Sequence, residues 1–293
     1  MTDSSKKTSQ KKNTSINNSP IVIGCIGGSG SRLVSQLIMN QGYYFGDCLN
    51  KANDNLWFSL IFRRLEAVTS SYHEFETLMD IFVSKMSNGT LNSNQKSLLN
   101  TIINQPHTLA ESFLKKSQSS LLNNDIHSEN ISTNWGWKEP NSYLFLPQLN
   151  LYFHELNYVY IIRHPLDMAF SNNQNQLKFW GKHFLGSDCK MTPKHSLKFW
   201  LYMYFKTKNL KQKMGHRLYI LNYDRLVLDP YKSVKELFEN MKISSSESSI
   251  IQASNIVKTP QSIGRYKNHD INEFDKKDIE LLNKEKLFEE IQY

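Results

Sequence analysis

Three groups of residues have the types and spacing to hold anions. The first is Gly27-Gly28-Ser29-Gly30, set between the apolar β-branched run Ile21-Val22-Ile23 and a helical pattern through Leu33, Leu37 and Ile38. Strand, glycine turn and helix start together let backbone N–H groups converge on an anion at the positive end of a helix. Neither common nucleotide fingerprint is met. A Walker loop needs Lys after its last glycine, where Ser31-Arg32 follows Gly30, and G-x-G-x-x-G needs a third glycine where Leu33 stands. The second group is Arg163, directly after the run Tyr158–Ile162, with Ser171 further along. On a helix starting at Pro165, Ser171 is about two turns in and can share an anion with Arg163. The third is Gly264-Arg265-Tyr266-Lys267, a glycine turn with two cations. Each group alone also fits a plainer role: a strand-to-helix turn, a strand-end salt bridge, a surface hydroxyl, a solvated loop charge.

The elements that must position these groups follow from periodicity and punctuation. Tyr158–Ile162 is unalternating and β-branched, as an interior parallel strand should be. Shorter strands are expected at Trp135–Lys138 and Leu218–Leu221. Helices are expected from about Arg32 to Gly42, across Asp54–Val68, from a Ser71–Glu74 capping box, over Leu144–Leu156, from Thr192-Pro193 to Gly215, after Pro230, and at the C-terminus. Asp167 lies where it would complement the dipole of the helix after Pro165. Strands separated by helices indicate an α/β fold with a parallel sheet covered on both sides, whose ligands sit beyond the carboxyl ends of the strands.

The chain of 293 residues is long enough for a substantial core. Residues 1–19 read as a disordered polar tail, and 20–293 as a single domain with a helical insertion at about 60–130. The first 20 residues hold four lysines and one aspartate, +3 of the net +8, which leaves about +5 for the rest. That excess suits an anionic ligand, but its scatter argues against a nucleic-acid stripe. Cys25, Cys48 and Cys189 lack disulfide or zinc spacing, and a reducing cytoplasm is the expected compartment. No secretory signal or membrane span is expected.

Five segments resemble one family, in the family's order. IGGSGSRLVSQLIMNQG resembles the 5′-phosphosulfate loop of sulfotransferases that use 3′-phosphoadenylyl sulfate (PAPS). YVYIIRHPLDMAFS resembles their 3′-phosphate segment, with the serine at the same spacing from the arginine. LYILNYDRLVLDPYKSVKELFENMKI is similar to the Y-E-D-L…D-P stretch, SIGRYKN to the late S-x-G-R segment, and WGWKEPNSYLF to the K-[ST]-P-x-Y-x-F segment of heparan-type members.

The resemblance implies a three-layer α/β/α, P-loop-containing nucleotide hydrolase-like fold of the sulfotransferase type. It also implies transfer of a sulfuryl group from PAPS to a hydroxyl or amine, with no metal needed. Gly27, Gly28, Ser29, Gly30, Ser31 and Arg32 would cradle the 5′-phosphosulfate, and Arg163, Ser171 and Arg265 the 3′-phosphate. Gly28 stands where many members carry Lys or Arg, and Arg32 or Lys138 would replace that charge. Lys138 matches the heparan-type lysine and is assigned to the bridging oxygen. Asp54 and Glu139 compete for the role of base. A small-molecule or carbohydrate acceptor is expected; oligomeric state is not readable. Two further readings are a P-loop kinase or NTPase, disfavoured by the missing lysine, and a non-catalytic nucleotide-binding protein on the same fold, motivated by Gly28.

Overall fold

The computed structural model describes residues 19–107, 109–122 and 134–287. The tail expected over 1–19, apart from Ser19, lies outside the described residues, as does the stretch 123–133 at the end of the expected insertion. Four strands, β1 (Ile21–Cys25), β2 (Gly136–Lys138), β3 (Asn157–Ile162) and β4 (Leu218–Asn222), form one sheet in the order β2-β1-β3-β4. All three pairings are parallel. The register sets Ile23 beside Lys138, Cys25 beside Ile161, and Ile162 beside Asn222. The carboxyl ends of all four strands therefore share one edge, and the segments that leave it carry Gly27–Gly30, Glu139, Arg163 and Tyr223-Asp224.

Strand side chains divide by alternation between two cores. Ile21, Ile23, Cys25, Val159, Ile161 and Leu221 face an aliphatic layer supplied by the helices Ser31–Met39, Tyr223–Leu228, Pro230–Asn240 and Glu247–Ile256. Val22, Tyr158, Tyr160, Ile162 and Leu218 face a larger, aromatic layer that includes Leu56–Phe62, Tyr72–Met86 and Pro193–Met214. Burial on both faces explains the near-continuous apolar composition of β1 and β3. In the aromatic layer Phe58 stacks on Trp137 at 5.5 Å and meets Phe82 edge-on at 5.3 Å. Truncating such a side chain costs about 3–5 kcal/mol.

Several expected elements are redrawn by local hydrogen bonding. The helix expected over 54–68 is two pieces, Leu56–Phe62 and Leu65–Val68, because Arg64 turns its Nε back to donate to the Ile61 carbonyl at 2.9 Å. Its start is fixed by Asn55, whose Oδ1 accepts from the Phe58 N–H while its own N–H donates to the Lys138 carbonyl. That second bond sets Asp54 beside the end of β2. The first helix stops at Met39, three residues before Gly42. Leu144–Leu156 is a 3-10 turn, Pro140–Phe145, followed by a helix only over Leu146–Tyr152. The helix after Pro165 ends at Ala169, so Ser171 lies beyond it rather than two turns in. The Gln174 amide stops it by donating to the carbonyls of Met168, Ala169 and Ser171. The Ser71–Glu74 capping box forms as expected. Asn175–Leu185 and Glu247–Ile256 are additional helices.

Candidate active site

Beyond β1 the chain turns sharply. The Ser29 hydroxyl and N–H both donate to the Ile26 carbonyl, at 2.6 and 3.2 Å. Gly30 has φ +86° and caps the Ser31–Met39 helix without a side-chain bond. A Cβ there would run into the Tyr223 ring, so only glycine fits. The first-turn N–H groups of a helix lack intrahelical acceptors, and this first turn carries no acidic residue. A helix start of this form can hold an anion. Gly28 has φ +93°, and a Cβ on it would lie 3.2 Å from the Ser171 hydroxyl. A lysine there would carry backbone strain of about 1–2 kcal/mol, which gives the missing loop cation a physical reason.

Arg163 leaves β3 into a buried network. Its Nη1 donates to the Gly28 carbonyl at 3.3 Å and its Nη2 to the Ser262 hydroxyl at 2.9 Å. Asp167 and Asp224 flank it at 3.8 and 3.9 Å, and all three side chains are buried. Asp167 lies in the first turn of its own helix, as expected, and also reaches beyond it. Its two oxygens accept from the N–H groups of Gly264 and Tyr266, at 2.7 and 3.0 Å, and so dock the late segment against the glycine loop. Asp224 accepts from the His164 N–H at 2.6 Å. Burial pushes its carboxyl up to about 6, against the pull of that bond and of Arg163. His164 stacks on Tyr266 at 4.4 Å, and burial pushes its imidazole down to about 4. Arg265 donates to the carbonyls of Ser262 and Phe170. Its pKa is lowered by burial first and then by the charge of Arg163. Two guanidinium groups that oppose each other's charge beside Gly28 and Ser171 form a place an anion would stabilise.

On the other side of the loop, Lys138 is buried at the end of β2. Its Nζ forms an ion pair with Asp54 and donates to the Ala52 carbonyl at 3.0 Å. Asp54 also accepts from the Asn50 amide at 2.8 Å. Glu139 is buried and caps the 3-10 turn, accepting from the Asn141 N–H at 2.6 Å, the Asn141 amide at 2.9 Å and the Ser59 hydroxyl at 3.4 Å. Its pKa is raised, first by burial and then by the Asp54 charge. Asp54, Glu139 and Gly27 border one small cleft of about 80 Å³. Gln176, which forms part of its wall, accepts the Gly27 N–H on Oε1 at 3.0 Å.

The structure therefore gathers Gly27–Ser31, Arg163, Ser171 and Arg265 on one side of the strand edge, and Asp54, Lys138 and Glu139 on the other. Arg32 is exposed, and its charge reaches the Tyr223 side of the loop. Sequence reasoning misses Asp224, Ser262, Gln176 and the amides around it. Asp224 lies inside the quoted N-Y-D-R-L segment, and the run Ser171-Asn-Asn-Gln-Asn-Gln176 is visible as amide-rich, but neither pattern states a role. Among the described residues no group of three or more His, Cys, Asp or Glu side chains could hold a metal ion. No helix among them is long and apolar enough to cross a membrane.

The parallel α/β sheet brings the glycine loop and the Arg163 network to the same strand edge. A family model described as the sulfotransferase family matches residues 20–247. The chain belongs to the sulfotransferase family. Among solved structures it is similar to the sulfotransferase domain of the Synechococcus PCC 7002 olefin synthase, at TM-score 0.50 and 15% identity over 96% of this chain and 99% of that one. It is also similar to the sulfotransferase STF9 from Mycobacterium avium, at TM-score 0.50 and 12% identity over 96% of this chain and 79% of that one. At these identities the likeness is one of fold. No curated protein sequence matches the chain.

Proposed function

We propose that this sulfotransferase takes its sulfuryl group from PAPS and delivers it to a hydroxyl or amine held in the cleft beside Glu139. The observation that carries the reading is the pairing of two anion-type sites at one edge. Arg163 donates to the Gly28 carbonyl of the loop, Arg265 donates to the Phe170 carbonyl beside Ser171, and a Cβ on Gly28 would lie 3.2 Å from the Ser171 hydroxyl, so the cations and the helix start share one strand edge. A 3′,5′-bisphosphate nucleotide presents anionic groups to both.

When bound, PAPS supplies an activated sulfuryl group. The N–H groups of Gly28 and Gly30 and of Ser31 and Arg32 in the first turn would hold its 5′ end. Arg163, Ser171 and Arg265 would hold its 3′-phosphate. The Lys138 ammonium would place positive charge where the leaving oxygen gains negative charge, a type of donor whose loss costs about 3 kcal/mol of transition-state stabilisation. Asp54 is assigned here to positioning, because its carboxylate oxygens are engaged by the Lys138 ammonium and the Asn50 amide. Glu139, whose carboxyl burial raises above the ordinary carboxylate range, is the better match to a base. Its three hydrogen bonds fix it at the cleft.

Calorimetric titration with adenosine 3′,5′-bisphosphate (PAP) is the test. Binding that weakens in Ser171→Ala and Arg265→Ala supports the assignment. Magnesium-dependent ATP binding that outcompetes the bisphosphate would replace it with a kinase or NTPase reading. Turnover that survives Lys138→Ala undiminished would remove that residue from the chemistry.

A further inference from the structure

We infer that the acceptor is a sugar or polyol, recognised through vicinal hydroxyls by an amide-lined wall. This inference rests on the cleft beside Glu139 being the acceptor side. The lining of the cleft around Glu139 carries the primary amides Asn141, Asn173, Asn175 and Gln176, with the Phe179 ring and the Arg63 guanidinium completing it. Arg63 stacks over Phe179 at 4.7 Å, so the wall's one aromatic face is covered by a cation. A flat phenol or a steroid takes mostly apolar walls and one or two polar contacts, and this cleft offers the reverse.

The amides are also poised for hydroxyl groups. A primary amide presents two N–H donors and one carbonyl acceptor, which matches adjacent hydroxyls that each donate and accept. Gln176 spends Oε1 on the Gly27 N–H and keeps Nε2 for a ligand. Asn175 makes no side-chain hydrogen bond among the described residues, and Asn173 is exposed beside it. Asn141 is occupied, with Oδ1 accepting from Trp180 and Nδ2 donating to Glu139, so it holds the base while its neighbours read the ligand. A volume of about 80 Å³ admits the edge of one ring and leaves the rest of a larger acceptor in solvent. The Gln176–Gly27 bond further ties this wall to the first N–H of the glycine loop.

The experiment is saturation-transfer NMR on the full chain, with and without PAP. The probes are N-acetylglucosamine, glucuronic acid and myo-inositol, set against 4-nitrophenol and a hydroxysteroid. Transfer to the sugar or polyol protons is expected, with none to the phenol or steroid. Asn175→Leu and Arg63→Gln should each weaken that binding about tenfold while bisphosphate affinity stays at the wild-type value, with thermal melts confirming folded protein. Absent sugar and polyol transfer in the wild type, preferential phenol or steroid binding, or sugar binding indifferent to both substitutions would overturn the inference. Sugar binding that responds to the substitutions in a protein that binds no bisphosphate would uphold the acceptor class and sink the PAPS assignment instead.

Discussion

The two sides of the strand edge are built on opposite plans. On the side of Arg163, charge is buried and shared. One guanidinium lies between two carboxylates, and both Asp167 oxygens and one Asp224 oxygen accept backbone N–H groups from segments about 100 and 60 residues away in sequence. On the side of Glu139, apart from the Lys138–Asp54 pair, the Glu139 cap and the Arg63–Phe179 stack, the wall is largely neutral amides that are partly unengaged. The first plan gives a rigid site for a ligand of fixed charge. The second suits a ligand known by its shape and its hydroxyls. The contrast predicts that mutations on the first side damage folding and nucleotide binding together, whereas those on the second change turnover or acceptor choice in a protein that still folds.

The largest effect is expected from Arg163→Ala. Removing the cation leaves Asp167 and Asp224 buried without their partner and should cost about 3–5 kcal/mol of stability, with loss of bisphosphate binding, read by denaturant titration and calorimetry. If stability is unchanged, the buried network is not what holds this side together. Glu139→Gln and Lys138→Ala should next lower turnover by about 10²–10⁴-fold and 10²–10³-fold respectively, with bisphosphate affinity near the wild-type value. A parallel loss of nucleotide affinity would erase the distinction between the sides. Ser171→Ala should weaken bisphosphate binding by about tenfold, the loss of one hydrogen bond to a charged group.

The smallest effect is a pH dependence. The Asp224 carboxyl is raised from 3.8 to about 6 in the folded protein, so it holds its proton more tightly folded than unfolded. Its contribution to stability is present below about pH 4 and is lost as pH rises through about 6. His164, lowered from 6.5 to about 4, works the other way: its contribution is present above about 6.5 and lost as pH falls through about 4. The two offset each other in the wild type. Asp224→Asn removes the first, so its melting temperature should improve relative to the wild type as pH rises from 4 to 6. A constant difference would show that Asp224 does not titrate in that range.

How much of this was legible in the sequence follows the same division. The glycine loop, Arg163 and β3 could be read because each function sits within a few residues of a strand end, where local spacing carries the geometry. That Ser171 lies beyond its helix is not legible, since the Gln174 amide that ends the helix acts through a side chain rather than a breaker. The break at Arg63 was hidden for the same reason. Asp167 looked like a local helix charge because its true partners, Gly264 and Tyr266, are brought to it only by the fold. The amide wall left no signal of role, because Asn and Gln in a polar loop look alike whether or not they face a ligand.

Whether the glycine loop and the Arg163–Arg265 cluster hold one ligand between them is tested by comparing adenosine 3′,5′-bisphosphate with 5′-AMP in calorimetric titrations of the wild type and Arg265→Ala. The account predicts that the bisphosphate binds the wild type at least tenfold more tightly than 5′-AMP, and that Arg265→Ala removes most of that preference while leaving 5′-AMP affinity almost unchanged. Equal affinity for the two nucleotides in the wild type would contradict it.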